Sequence, residues 1–367
     1  MSENAAAETS AAGAGSPALP PTNRDLAPEA DPPKQSRGRR QLGGSGLTRN
    51  LGLVVALLLL CVVGYATAGE AFVRPSNFAT ILGLAATTGI ISIGMTFVIT
   101  GGGIDLSVGS VMGLATVWAT TLATQTMARD YHWAVMVFAA LAVGAIAGLI
   151  NGVVVAYGRV VSFIATLAML VAARGLAEMI SGRQTQLIPH NSLLEGQSVN
   201  GFKEFFGGDL LGLPVIVWVF VVVAALGWVL LNRTTFGRRT IAVGGNPEAA
   251  RLAGIKVQRH TMYLFAIAGL TAGIAAVTML ARTGAGTSTH GQLLELEVIA
   301  AVVVGGTLLV GGRGTIVGTV LGVLIFSTLT NIFILNNLSM SVQSVAKGAI
   351  IVLAVLFQQR FANRATG

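Results

Sequence analysis

Long apolar runs alternate with short polar segments along most of the chain. Most of these runs approach the 20 or so residues that an α-helix needs to cross a hydrocarbon core of about 30 Å. The ten predicted spans lie at about 51–67, 78–99, 104–124, 133–156, 161–181, 212–231, 261–281, 294–312, 314–335 and 341–357. The pattern predicts an all-α integral membrane protein with about ten transmembrane helices.

Composition agrees with this pattern. Of the 367 residues, 53% are hydrophobic and only 10% are charged, whereas a soluble domain carries about 25% charged residues. The net charge of +8 does not indicate nucleic-acid binding, because the basic residues lie between the apolar runs, as topology determinants do. We therefore expect the chain to be surrounded by the lipid bilayer, with no nucleic acid as a partner.

The two ends of the chain differ from the apolar region between them. Residues 1–46 are rich in Ala, Pro, Ser and Gly and predict a disordered cytosolic tail. The run at 51–67 begins too late for a cleaved signal peptide, so we expect it to be kept as the first span. Residues 359–367 are predicted to form a short cytosolic C-terminal tail.

The basic residues predict the orientation of the spans. If the N-terminus is inside, most of the 23 basic residues fall in inside segments, which is the bias that cytoplasmic loops show. Those that fall outside are Arg74, Arg129, Arg183, Lys203 and Arg282. An even number of spans then places both termini in the cytosol.

A polar break separates the second apolar run from the third. An acid at membrane depth costs a few kcal/mol or more unless it faces a polar cavity or a partner, and the glycines beside it permit unusual backbone angles. We interpret this break as part of a solute path whose candidate residues are Gly102, Gly103, Asp105, Ser107 and Gly109. The alternative is a short loop in which Asp105 is a solvated N-cap of the following helix.

The motif around Asp105 has an internal echo. Residues 102–113 and 311–322 share the pattern G-G-x-x-x-x-V-G-[ST]-V-[ML]-G, although Gly314 stands where the first copy has Asp105. Duplicated halves are common in transporters, with sites near interrupted helices. Both copies are predicted to run from inside to outside.

Glycines at every fourth residue from Gly144 and from Gly314 predict close helix packing.

The loop at 232–260 contains the signals of a short capped helix. Asn246 is a good N-cap, Pro247 suits the first helical position, Glu248 suits the positive helix end, and Gly254 ends the helix. Ala249, Leu252 and Ala253 would form one apolar face. Such a helix is suited to docking a cytosolic motor, and the alternative is a basic loop that lies on anionic headgroups.

Several chemistries are missing from the sequence. There is no G-x-x-x-x-G-K-[ST] loop for ATP, the four histidines lack metal-ligand spacing, and no Ser/His/Asp set is apparent. We therefore expect no catalytic residue, no metal and no cofactor. Few acids lie within the spans, which disfavours a carrier driven by protons or sodium. Arg174 is expected to pair with Glu178, and Lys347 to extend toward the membrane surface.

Three stretches in combination, 101–110, 235–255 and 294–314, resemble the membrane permeases of bacterial ATP-binding cassette (ABC) importers for ribose/xylose/galactose-type monosaccharides. The likeness covers about residues 50–358. Minor departures are Leu308-Leu309-Val310 after Thr307, and Glu297 where an Asp is common. The resemblance implies the ABC importer permease architecture, with a permease domain at 47–358 and a cytosolic coupling loop at 232–260.

The resemblance also implies partners. Two permease subunits, identical or related, would form the path in the bacterial cytoplasmic (inner) membrane. Cytosolic ABC ATPase subunits would dock on the residues Gly245, Asn246, Pro247, Glu248, Ala249, Ala250, Arg251 and Gly254. A periplasmic or lipid-anchored sugar-binding protein would deliver the substrate, and ATP hydrolysis in the partner would drive alternating access. The alternatives are a branched-chain amino acid ABC permease and an ion-coupled carrier that works alone.

Overall fold

The computed structural model describes residues 46–188, 197–350 and 352, and helices dominate it. The helices are α1 (Gly46–Ala68), α2 (Glu70–Val73), α3 (Pro75–Thr100), α4 (Val108–Ala119), α5 (Leu122–Asp130), α6 (Ala134–Ala156), α7 (Ser162–Ser181), α8 (Gln197–Phe206), α9 (Val215–Arg233), α10 (Thr235–Gly245), α11 (Pro247–Leu252), α12 (Val257–Thr283), α13 (Leu294–Val304), α14 (Ile316–Leu335) and α15 (340–350). The predicted all-α fold class is confirmed. The predicted tails lie outside the described residues, except for Gly46.

Four two-residue strands join the helices at their ends. They are β1 (Gln186–Leu187), β2 (Asp209–Leu210), β3 (Leu213–Pro214) and β4 (Ala285–Gly286). Strand β1 pairs antiparallel with β4, and β2 pairs antiparallel with β3. The first pair ties the segment after α7 to the segment after α12.

Within the described residues, seven helices are long and apolar enough to cross a membrane: α1 from Asn50, α3, α6, α7, α9, α12 and α14. The prediction of a full span at 104–124 and another at 294–312 is therefore wrong. Helix α4 has 12 residues and α13 has 11, so each rises only about 18 Å or less, against a core of about 30 Å. The predicted span at 341–357 is described only as far as α15.

The spans have two distinguishable ends. Helices α3 and α12 are antiparallel neighbours, because the hydroxyl of Thr87 lies 3.1 Å from that of Thr278 while Gly94 packs against Ala268. Helix α10 contacts the C-terminal half of α3, where the rings of Phe97 and Phe236 are 6.2 Å apart. We call this side of the molecule the α10–α11 end.

Glycines line the contact between α6 and α12. A Cβ atom built on Gly148 of α6 would lie 2.8 Å from the Cα of Gly269 in α12, and one built on Gly269 would lie 2.6 Å from the Cα of Gly148. Only hydrogen side chains allow two backbones to approach this closely in lipid. The prediction that the glycines from Gly144 onward serve packing is confirmed.

Polar pairs connect the central helix α3 to its neighbours. In addition to the bond to α12, the Thr96 hydroxyl lies 2.8 Å from the Thr319 hydroxyl of α14. Asn77 and Asn331 exchange side-chain hydrogen bonds of 3.1 and 2.7 Å near the other end of the same helices. Such interhelical hydrogen bonds stabilise bundles in a medium that cannot satisfy hydroxyls or amides.

Candidate functional site

The first interrupted span contains the residues predicted to form a solute path. Helix α3 ends at Thr100, and Gly102 follows with a φ of +86°, a conformation that glycine adopts without steric cost. The chain then runs without helix to Ser107 before α4 begins. Four of the five predicted path residues thus form the turn and the non-helical half of one broken span, and the fifth, Gly109, is the second residue of α4.

Asp105 is the centre of this extended half. Its side chain is 1% exposed, and Oδ1 accepts hydrogen bonds from the backbone N–H of Ser107 at 2.8 Å and from the Ser107 hydroxyl at 2.6 Å. The amide of Asn151 in α6 donates to the Ser107 hydroxyl oxygen at 2.9 Å. The alternative of a solvated N-cap is wrong about solvation, because the carboxyl is buried and satisfied by protein donors.

Helix α7 satisfies the backbone of the same extended segment. The N–H of Ile104 donates to the Ser162 hydroxyl at 3.2 Å, and the N–H of Leu106 donates to the Thr166 hydroxyl at 3.1 Å. Backbone without internal hydrogen bonds is tolerated at membrane depth only where protein or water supplies partners. The interruption is therefore an ordered part of the bundle.

A second interrupted span faces the first. After α12 the chain is not helical until Leu294, and α13 supplies only the remaining half of this span. A Cβ on Gly109 would meet the backbone of Gly291, and a Cβ on Gly291 would meet that of Gly109. The two broken spans therefore touch through a pair of glycines, which could not carry side chains there.

An arginine anchors the non-helical half of the second broken span. Arg174 of α7 donates from Nη1 to the carbonyl oxygens of Ser288 and His290, the latter at 2.9 Å. The predicted Arg174–Glu178 pair is wrong, because Glu178 instead accepts a hydrogen bond from Arg183 at 2.9 Å. Arginine has several donors in a planar fork, which suits it to bare backbone carbonyls.

The two copies of the internal echo meet at the α10–α11 end. The N–H of Gly312 donates to the Thr100 carbonyl at 2.9 Å, and a Cβ on Gly311 would lie 2.9 Å from the Cα of Gly102. A third pair of glycines closes this contact, since a Cβ on Gly312 would lie 2.9 Å from the Cα of Gly245. We call residues 101–103, 244–245 and 311–312 the glycine junction.

The loop at 232–260 contains the predicted capped helix, α11. The Asn246 side chain accepts a hydrogen bond from the N–H of Ala249 at 2.9 Å, Pro247 is the first helical residue, and Gly254 follows the helix with a φ of +83°. Ala250 is buried against the rest of the molecule. The predicted apolar face, formed by Ala249, Leu252 and Ala253, is exposed, and Leu252 is 75% exposed.

An ion pair lies on the exposed side of α11. Arg251 donates to both carboxylate oxygens of Glu248, at 2.5 and 3.0 Å. This hydrogen bonding, together with the positive charge of Arg251, holds the pKa of the Glu248 carboxyl below its ordinary value. Both side chains are more than half exposed, so they are free to contact a partner at the α10–α11 end.

A cavity of about 660 Å³ lies between α3, α12, α14, α15 and the segment 289–297. Sequence reasoning missed it, because its polar residues are single Thr, Ser and Gln side chains spread over separate helices. The five predicted path residues are not among its lining residues.

The expectation that Lys347 reaches the membrane surface is wrong, because its Nζ donates to Glu297 at 2.7 Å within the cavity wall.

Comparison with known proteins agrees with this architecture. Residues 77–355 match the family described as "Branched-chain amino acid transport system / permease component". The ribose import permease protein of Bacillus subtilis is 37% identical over 88% of this chain and 96% of its own length. The L-arabinose ABC transporter permease protein of Azospirillum brasilense is 36% identical over 95% of this chain and 98% of its own length. The xylose transport system permease protein of Haemophilus influenzae is 34% identical over 83% of this chain and 96% of its own length. No solved structure matches the chain.

Two interrupted spans that meet inside a helical bundle are typical of membrane transport proteins. The chain belongs to the permease-component family that matches residues 77–355. It is therefore a multi-pass membrane permease of the ABC importer class, as the sequence motifs predicted.

Proposed function

We propose that the chain is the permease subunit of an ATP-driven importer that moves a monosaccharide across the cytoplasmic membrane by alternating access. The observation that carries this proposal is the similarity, over 83% or more of this chain, to permeases named for ribose, L-arabinose and xylose. The family description names branched-chain amino acids. These individual relatives favour sugars over that alternative, and over a carrier that works alone.

The proposal places ATP hydrolysis in partner subunits. The chain has no phosphate loop of its own. Helix α11 offers an exposed apolar face beside an exposed ion pair, and both are suited to docking cytosolic ABC ATPase subunits. A second permease subunit and a periplasmic or lipid-anchored sugar-binding protein would complete the importer.

The α10–α11 end is proposed to face the cytosol. Basic residues of the described chain at or near this end are Arg159, Arg233, Arg238, Arg239, Arg251, Lys256, Arg259 and Arg313. Cytoplasmic loops carry such an excess of Lys and Arg. Both termini, which lie in the undescribed parts of the chain, would then be cytosolic.

The segment from Gly102 to Gly109 is proposed to gate the cytosolic end of the sugar path. Its residues up to Ser107 are the non-helical half of a broken span, Gly109 lies in the first turn of α4, and Gly102 lies against Gly311 in the glycine junction. Because Gly244 and Gly245 end α10, a displacement of the docked coupling loop would act directly on the start of the first broken span and on the segment that leads into α14. Asp105 and Ser107 would keep this gate in one defined conformation.

The first experiment is to purify the tagged chain from solubilised membranes of its own organism and to identify its companions by mass. The importer proposal expects an ATPase that contains a phosphate loop, together with a secreted sugar-binding protein. Recovery of the chain alone, or only with further copies of itself, would remove the motor and favour the ion-coupled carrier. An amino-acid-binding protein in place of the sugar-binding protein would instead favour the branched-chain alternative.

A further inference from the structure

The cavity described above has the size of a ligand site. Its volume of about 660 Å³ lies within the range of about 300–1,000 Å³ that is common for small-molecule pockets. It lies beside the second broken span and is lined by residues 289–294 of that span. Interrupted helices are where transporters commonly hold their substrates. Size and position are therefore compatible with a small solute in transit.

The polar part of the cavity lining is mostly uncharged. It consists chiefly of Thr87, Thr88, Thr289, Gln292, Ser327 and Thr330. The acid and the amine in the wall, Glu297 and Lys347, are bonded to each other at 2.7 Å, and Arg282 is an exposed residue at the end of α12. Hydroxyl and amide groups both donate and accept hydrogen bonds, which suits the hydroxyls of a neutral sugar.

Ser327 is the feature that points to a ligand. Its side chain is 1% exposed and lines the cavity, yet its Oγ has no hydrogen-bond partner within the described part of the chain. Serine and threonine in membrane helices commonly bond to a carbonyl one turn earlier. Thr330 on the same helix does so, to Phe326 at 2.9 Å. Most buried polar side-chain atoms have a hydrogen-bond partner in the protein or in ordered water, so an orphaned hydroxyl in a cavity wall calls for an explanation, and a bound ligand provides one.

We propose that this cavity is a transit site that holds one neutral monosaccharide, with the Ser327 hydroxyl bonded to a sugar hydroxyl. This inference rests on the proposed function and adds to it a location and residues for the bound sugar. The Glu297–Lys347 pair offsets two of the three charges among the described lining residues, the third being Arg282, and uncharged hydroxyl and amide groups outnumber these charges, which favours a neutral polyol. A site with few hydrogen bonds to sugar would release its ligand readily, as a transporter requires.

A single-thiol experiment tests occupancy directly. Because Cys61 is the chain's one cysteine, the Cys61→Ala background leaves no thiol, and Ser327→Cys then introduces one into the cavity. The full chain in lipid nanodiscs would be treated with a small thiol reagent in the presence of ribose, L-arabinose, xylose or leucine. We expect at least one of the three sugars to slow modification severalfold and leucine to have no effect. The matched control is Thr328→Cys, at a buried neighbouring position that does not line the cavity.

Three results of this experiment would overturn the inference. They are a thiol in Ser327→Cys that does not react even without sugar, a reaction rate that none of the three sugars changes, and protection by leucine. The first means that the cavity is closed to solutes, the second that these sugars do not occupy it, and the third that it serves another class of substrate.

Uptake by cells of the source organism separates this inference from the proposed function. Ser327→Ala removes one hydrogen bond to the sugar and is expected to slow uptake about fivefold at equal membrane abundance. Ser327→Leu fills part of the cavity and is expected to slow uptake far more, while the matched Thr328→Val leaves it unchanged. If wild-type cells import sugar and Ser327→Leu cells do so equally fast, only the transit site is refuted. If wild-type cells import none of the three sugars through this protein, the proposed function fails and the inference fails with it.

Discussion

At the scale of single residues, Asp105 shows how an acid is held at membrane depth. Its carboxylate oxygen Oδ1 accepts hydrogen bonds from the backbone N–H and the hydroxyl of Ser107, neither of which is a basic group. Asn151 then fixes the Ser107 hydroxyl from a neighbouring helix. The arrangement holds the turn that precedes α4, so the side chain shapes the broken span whether or not it ever touches a solute.

We expect Asp105→Ala to abolish sugar uptake while the chain still inserts into the membrane. The substitution leaves the buried N–H of Ser107 without its acceptor and should destabilise the fold by about 3 kcal/mol. Asp105→Asn retains an Oδ1 acceptor and should preserve most of that stability. Uptake of labelled sugar and the thermal aggregation temperature of the purified protein would be measured together. Normal uptake by Asp105→Ala would show that the turn is dispensable.

At the scale of helices, the contact of α6 with α12 depends on the absence of side chains. The backbones approach at Gly144, Gly148, Gly269 and Gly273, where added Cβ atoms would overlap the opposite backbone. In α7, by contrast, Gly175 has open space around its Cα. Glycines of the same sequence therefore serve different purposes, and only their neighbours distinguish them.

This contrast provides a matched pair of substitutions. Gly148→Ala places a methyl group against the backbone of Gly269 and should destabilise the protein by about 1–3 kcal/mol. Gly175→Ala meets nothing and removes a flexible residue from a helix, so stability should stay unchanged or rise slightly. The thermal aggregation temperatures of both variants would check this. Equal losses in the two variants would mean that α6 and α12 are not packed through glycine.

In helix α11 the charges of the Glu248–Arg251 ion pair can be reversed without disturbing the helix. Exchanging the pair, as Glu248→Arg together with Arg251→Glu, keeps an ion pair three residues apart and should leave stability unaltered, because exposed pairs contribute about 1 kcal/mol or less. It reverses the charges presented to a docked ATPase, and we expect stimulation of ATP hydrolysis in the assembled importer to be lost. Since the pKa of Glu248 is lowered, the native pair is present at neutral pH and is lost only as acid reaches that lowered pKa. Normal stimulation by the exchanged variant would argue against docking through these charges.

At the scale of the whole molecule, charge distribution and fold agree. The glycine junction, α10 and α11 lie at one end, and within the described residues this end has most of the basic residues outside the spans. The same end brings together the two copies of the internal echo, which are far apart in sequence. Orientation, docking and gating are thus proposed for a single side of the membrane.

Thiol labelling of two exposed leucines tests this orientation. In the Cys61→Ala background, Leu252→Cys lies on α11 and Leu211→Cys lies between β2 and β3, where the native side chains are 75% and 84% exposed. An impermeant thiol reagent added to intact cells with a permeable outer layer should modify Leu211→Cys, and should modify Leu252→Cys only after lysis. The reverse result would invert the proposed topology, and labelling of both before lysis would show a leaky preparation in which wild-type controls must be repeated.

Local sequence signals predicted the parts of this molecule that depend on local interactions. Asn246, Pro247 and Gly254 specified α11, because caps act within one helical turn. The apolar runs predicted the long helices because backbone N–H and C=O groups in lipid must form hydrogen bonds within their own segment, and an α-helix does this locally. Hydropathy wrongly predicted full spans at 104–124 and 294–312. The hydropathy of an apolar residue is the same whether its backbone is helical or extended, so it cannot show where a span is interrupted.

The sequence by itself determined the class of protein, its helical architecture, its family motifs and the side on which basic residues accumulate. Only the tertiary structure decided that two spans are broken, that Arg174 bonds to carbonyls of the second broken span, and that three distant runs of glycine meet in one junction. It also placed Ser327, Thr88 and Gln292 around one cavity. The physical reason is that these contacts join residues far apart in the chain, and their energies depend on distances that no local pattern encodes.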